Sequence, residues 1–153
     1  MLTALLPLVS MAQKDDFNSL FRKMSGVEGY TAVEITKDMI KLLGSGNSKE
    51  QVKNSGDLDG VESIRMIVAD KYSDKFAEEA KKCSAGFRLL TSVKSKSGEV
   101  SIYIKETSGS KNSRKSEMLV ISLGEEDNAV LHINGTIDIN KISALPGVKA
   151  IKN

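Results

Sequence analysis

The fold turns on residues 87–134. Phe87-Arg88-Leu89-Leu90-Thr91-Ser92-Val93-Lys94 and Val100-Ser101-Ile102-Tyr103-Ile104-Lys105 flank a Gly-containing turn at Ser95 to Gly98. Glu117 to Leu123 and Ala129 to Asn134 flank a second turn at Gly124 to Asn128. β-Branched residues alternating with polar ones on either side of a short turn predict two β-hairpins. The alternation also assigns faces. Val100, Ile102 and Ile104 point one way, and Ser101, Tyr103 and Lys105 the other. Leu131 and Ile133 oppose Val130, His132 and Asn134. This predicts an apolar face for helices and a more polar, open face. Ser101, Tyr103, Lys105, His132 and Asn134 on the open face form the candidate interaction surface.

Upstream, the pattern switches between helix and strand periods. Phe17, Leu20, Phe21 and Met24 fall on one helical stripe after Asp15-Asp16, and Gly26 can stop the helix. Tyr30-Thr31-Ala32-Val33-Glu34-Ile35 reads as a strand, and Thr36 can cap a helix with Met39, Ile40 and Leu43 inward and Gly44 as its stop. Val61 to Ala69 reads as a second strand. Ser73 then caps a helix whose stripe is Phe76, Ala77, Ala80 and Cys83. Downstream, Asp138 is placed to cap a last helix carrying Ile139, Ile142 and Leu145, ended by Pro146-Gly147. The order α-βα-βα-ββ-ββ-α predicts an α+β domain. Its sheet is largely antiparallel or mixed, with four to six strands and helices packed on one face.

The chain of 153 residues begins with an uncharged apolar run, Met1 to Ala12, ending in small residues as Ser10-Met11-Ala12 before the polar Gln13-Lys14-Asp15-Asp16. This reads as the remnant of a secretory signal peptide. It is too short for a membrane span, which needs ~20 apolar residues. Residues 13–153 are then one exported domain, with Gly44 to Gly56 a mobile loop because Val52 is its single apolar residue. No later stretch supplies a membrane anchor.

Net charge is +2 and aromatics make up 5 % of the chain, so global electrostatics select no partner and aromatic stacking platforms are scarce. One histidine and one cysteine exclude internal disulfides and sites needing two histidines, and no metal or cofactor motif is present. Cys83 shares an apolar stripe, where cysteine packs as a small hydrophobe. Gly44-Ser45-Gly46-Asn47-Ser48-Lys49 lacks phosphate-loop spacing, and no G-x-S-x-G elbow occurs. Asp57, Asp59 and Glu62 lack the calcium-loop pattern. Lys105, Lys111, Arg114 and Lys115 have no interleaved aromatics, so nucleic acid is not expected. Asn134-Gly135-Thr136 matches a glycosylation sequon and reads as a strand end.

Several stretches resemble the Bacteroidetes domain of unknown function family 4252. They are Phe17-Asn18-Ser19-Leu20-Phe21, Gly29 through Met39, Ile64-Arg65-Met66-Ile67, Tyr103-Ile104-Lys105-Glu106, Met118 through Leu123, and Ile133-Asn134-Gly135-Thr136-Ile137. The resemblance implies a small exported α+β domain of the bacterial envelope and carries no catalytic residues. The expectation is a non-catalytic binding or accessory domain working with an envelope protein. One alternative is a small hydrolase pairing His132 with the hydroxyl of Ser101 or Tyr103. Another is a membrane-surface protein using an exposed Phe17–Met24 stripe or the basic link around Lys105, Lys111, Arg114 and Lys115.

Overall fold

The computed structural model describes residues 16–44, 60–107 and 115–136. The leader, the loop after Gly44, most of the basic link and the closing helix read from Asp138 lie outside the described residues.

Three helices, α1 (Phe17–Met24), α2 (Lys37–Gly44) and α3 (Asp74–Lys82), accompany six strands among the described residues. The strands are β1 (Tyr30–Thr36), β2 (Val61–Ala69), β3 (Arg88–Lys94), β4 (Gly98–Thr107), β5 (Lys115–Gly124) and β6 (Asn128–Gly135). They form one open sheet ordered β1-β2-β6-β5-β4-β3, and every pairing is antiparallel. Both hairpins form as read. Ten register pairs then join β4 to β5, so the two hairpins are one continuous four-stranded meander.

Local chemistry explains the boundaries. Asp16 caps α1, its carboxylate accepting from the Ser19 N–H at 2.9 Å. Ser73 caps α3, its hydroxyl accepting from the Phe76 N–H at 3.1 Å. The β5–β6 turn is closed by the buried Asn128 side chain, which donates to the Gly124 carbonyl at 2.9 Å and accepts from the Gly124 N–H at 3.2 Å. β6 ends at Gly135, whose φ is +149°. A Cβ there would stand 2.2 Å from the Gly60 carbonyl oxygen, so only glycine lets β6 approach β2 at this bulge.

The helices occupy both faces. α1 and α3 put Phe17, Leu20, Met24, Phe76, Ala77, Ala80 and Cys83 against Ile67, Ala69, Leu119, Ile121, Leu123 and Val130. α2 puts Ile40 on the opposite face, with Val61, Ile102, Met118 and Ile133. Three expectations change, the first being that the helices are not confined to one face. The face carrying Ser101, Tyr103, Lys105, His132 and Asn134 is not open but lies under α1 and α3. Met39 does not point inward: it is 49 % exposed, whereas Ile40 is buried. The cause is visible in β5, where Met118-Leu119-Val120-Ile121 is apolar on both sides. A strand of that kind must be covered twice, and eight residues of α2 can cover only part of one face.

Candidate functional site

α1 and α3 cross the sheet as a roof, tied by an ion pair between Lys23 and Glu79. The roof opens where α1 begins and α3 ends. α1 starts abruptly because the Asp16 cap fixes its first turn, and Phe17 is its first residue. α3 stops at Lys82, with Cys83 as C-cap. The chain then runs through Ala85-Gly86-Phe87, with Gly86 at φ +82°, into β3. Between these two ends lies a cleft of ≈ 650 Å³. Its floor is Lys105 of β4, Glu117 of β5 and His132 of β6, and its walls include Phe17, Lys82, Cys83 and Phe87.

His132 is the most constrained polar group in this cleft. It is 4 % exposed, and its ring stacks on Phe17 with centroids 4.9 Å apart and planes at 14°. Nε2 lies 3.5 Å from Glu117 Oε1, and Nδ1 is buried without a hydrogen-bond partner. Burial holds the imidazole below its ordinary pKa, and the Arg65 guanidinium pushes the same way. The carboxylates of Glu117 and Asp16 oppose this without overcoming it. The ring is therefore neutral at pH 7. A proton on Nε2 faces the carboxylate, which leaves Nδ1 as a lone-pair acceptor. A buried acceptor with no donor is uncommon in a folded protein and calls for an explanation.

The register adds a second feature. Lys105 and Glu117 are cross-strand partners, as are Glu117 and Asn134. Opposite charges so placed ordinarily close on each other. Here Glu117 turns to His132, while the Lys105 ammonium lies 5.6 Å from the Phe87 ring centroid. Among the described residues, neither Lys105 nor Lys82 forms a salt bridge. The Glu117 carboxylate thus turns toward His132 and the Lys105 ammonium toward Phe87, and Asp16 and Lys82 also line the cleft.

Of the five candidate residues, two meet here, His132 and Lys105. Ser101 is buried away from the cleft, its hydroxyl 3.1 Å from Ser92 Oγ and 3.3 Å from Glu99 Oε1. Tyr103 packs against the core under the helices, and Asn134 is half-buried between Glu117 and Ser63 in register. Sequence reasoning missed Glu117, Phe17 and Phe87 as cleft residues. The signal was present for Glu117, which opens the alternation Glu117, Leu119, Ile121, Leu123 with a charge where the other three are apolar. Cys83 is buried as expected, 3 % exposed, and its thiol donates to the Glu79 carbonyl at 3.3 Å. Among the described residues, no three of His, Cys, Asp and Glu are placed to hold a metal ion. No described helix is long and apolar enough to cross a membrane.

Comparison with curated proteins and with solved structures gives no match. A family model does match, over residues 17–145, which run from the first residue of α1 past the end of β6 and so take in every element of the cleft. The chain belongs to the family described as domain of unknown function (DUF4252).

Proposed function

We propose that this is a non-catalytic binding domain of the bacterial cell envelope, exported behind Met1–Ala12, and that it takes its ligand in the cleft between α1 and α3. The observation that carries the reading is a cleft whose floor gathers the His132 ring with the Glu117 carboxylate and the Lys105 ammonium, Glu117 and Lys105 forming no salt bridge with each other. The volume suits it, since small-molecule sites span about 300–1,000 Å³. An accessory role toward an envelope protein would follow from presenting or withholding that ligand.

The hydrolase alternative gains no support from the geometry. A hydroxyl nucleophile must lie within hydrogen-bond reach of its base, and the polar neighbour of His132 is Glu117. The membrane-surface alternative needs the α1 stripe exposed, yet Phe17, Leu20 and Met24 are each 4–5 % exposed.

The test is amide NMR on the full chain with the small-molecule fraction of a bacterial envelope extract. Resonances of Phe17, Lys105 and His132 should shift. Ala85→Trp, at an exposed wall position, should abolish the shift by filling the cleft while leaving the fold intact. Unmoved cleft resonances in the unmodified chain would overturn the reading.

A further inference from the structure

The two edges of the sheet are built differently. Among the described residues β1 and β3 are the outer strands, each pairing on one side only. An edge strand presents N–H and C=O groups on its outer side, and proteins guard such edges with charge, proline or bulges. β3 is guarded. Arg88 and Lys94 stand at its ends, and its register with β4 shifts between Leu89 and Thr91. β1 has none of these devices. Tyr30-Thr31-Ala32-Val33-Glu34-Ile35-Thr36 holds no lysine, arginine or proline, and its seven residues pair with β2 without a register shift. Thr31, Glu34 and Thr36 are exposed and the other four are half-buried. A regular edge of strand-forming residues with a single charge is a template for another strand.

The surface around β1 is apolar as well. α2 follows β1 directly and packs on β1 and β2 at this edge. Its Met39 and Leu42, spaced i and i+3, are 49 % and 66 % exposed, and Val27 just ahead of β1 is 44 % exposed. Three of the six large exposed hydrophobics among the described residues thus flank one edge, where pairing would cover them.

The residues of β1 also suit one particular partner strand, β1 itself. An antiparallel pairing about a two-fold axis through Val33 sets Val33 against Val33, Ala32 against Glu34, Thr31 against Ile35 and Tyr30 against Thr36. The two members of each pair are an even number of residues apart in the strand, so each pair shares a face of the joined sheet. Glu34 meets Ala32 rather than a second Glu34, and its neighbour on the other side is Arg65 of β2. The same operation on β3 about its central Thr91 brings Arg88 level with Lys94, like charge against like.

We propose that the chain associates with a second copy of itself through β1, the two sheets joining edge to edge about a two-fold axis through Val33. The axis runs perpendicular to the sheet, so α1 and α3 of both copies lie on one side, and both clefts lie on that side of the joined sheet.

Sedimentation equilibrium of the full chain over a concentration series should give monomer and dimer, with nothing larger, because a two-fold contact closes on itself. Val33→Lys sets two ammonium groups face to face and should weaken association more than tenfold, and Val33→Glu should do the same with two carboxylates. An equal mixture of the two variants should dimerise again, since lysine then meets glutamate. Misfolding does not produce recovery on mixing. Leu89→Lys on β3 should leave the equilibrium unchanged. A spin label at Thr31→Cys reads the same contact without touching Val33, and decides the matter if either Val33 variant fails to fold. Its counterpart lies four residues along the paired strands, about 14 Å away, so dimerisation should bring dipolar broadening. A chain that stays monomeric at every concentration would overturn the proposal. So would a dimer that Leu89→Lys dissolves and Val33→Lys does not, which would move the contact to β3. Mass growing beyond two copies would overturn the closed two-fold. Folded Val33 variants that do not recover on mixing, or a dimer without broadening, would remove the axis from Val33.

Discussion

The face beneath α1 and α3 has two halves built from the same strands. In one half Phe76 presses onto Ile67, Leu119 and Val130, and all four are fully buried. In the other half the same strands present His132, Glu117 and Lys105 beneath a cleft, with Arg65 beside His132 against the Phe17 and Phe21 rings. On β5 one residue, Met118, stands between Glu117 of the polar half and Leu119 of the apolar half. The contrast divides the work. The apolar half closes around itself and leaves nothing to bind. The polar half keeps a nitrogen unpaired and charges apart, which costs stability unless a ligand completes it.

Deepening the apolar half should give the largest effect. Phe76→Ala removes a ring that is 0 % exposed at the centre of the roof–sheet contact and should cost about 3–5 kcal/mol by chemical denaturation. Cys83, about two turns further along the same stripe, should then label with thiol reagents faster than in the unmodified protein. A cost under about 1 kcal/mol would mean that the ring is not the keystone of this half.

The polar half should show itself through pH. His132 is held below its ordinary pKa, so the folded chain takes up that proton less readily than the unfolded chain. The sign follows from linkage. The His132 contribution to stability is complete above the unfolded value of about 6.5 and drains away as pH falls from there through the folded pKa. The steepest loss for one proton is about 1.4 kcal/mol per pH unit. His132 is the single histidine, so the difference in unfolding free energy between the unmodified chain and His132→Gln isolates this dependence. A flat difference curve between pH 7 and pH 5 would remove the contrast between the halves.

Gly86 offers a smaller and sharper cut. Its φ is +82°, yet a Cβ added there meets nothing within 4 Å. Gly86→Ala should therefore cost about 1–2 kcal/mol through backbone strain alone. Because the residue lines the cleft but not the core, ligand affinity should fall while Cys83 labelling stays slow. Accelerated labelling would show that the two halves yield together.

Most of the fold was legible because each element announces itself locally. The β2 limits, the Ser73 cap, the stripe Phe76-Ala77-Ala80-Cys83 and both hairpin turns follow from period and capping chemistry. Faces were not legible in the same way. β4 alternates cleanly, but it lies next to the β3 edge, and its Ser101, Tyr103 and Lys105 made the helix-covered face look polar. The central β5 is apolar on both sides and says nothing about which face the helices choose. The cleft was harder still. It depends on Lys105 standing opposite Glu117, a register set across the 108–114 link, and on where α1 begins relative to where α3 ends. Two of its residues, Lys105 and His132, were found because a charge or an imidazole within a β-alternation is conspicuous in any register.

The smallest expected effect lies at the seam between the halves, where Lys23 of α1 meets Glu79 of α3. The lysine side chain is 55 % exposed and that of the glutamate 18 %, so water screens one partner much more than the other. Exposed pairs contribute about 0.2–1 kcal/mol, and Lys23→Ala should fall in that range. The asymmetry makes a further demand. Glu79 Oε2 is buried without a hydrogen-bond partner, so removing the lysine leaves a poorly solvated carboxylate with nothing to offset it. Removing the glutamate leaves only a solvated ammonium. Glu79→Ala should therefore cost less than Lys23→Ala, and the double variant should lie near Glu79→Ala rather than at the sum. Denaturation of the three variants at low and high salt measures this, because the Coulomb part of both single costs should shrink as salt rises while the desolvation cost left by Lys23→Ala persists. If the single costs simply add, the pair is not coupled, and the roof is held over the cleft by the apolar contacts of α1 and α3 alone.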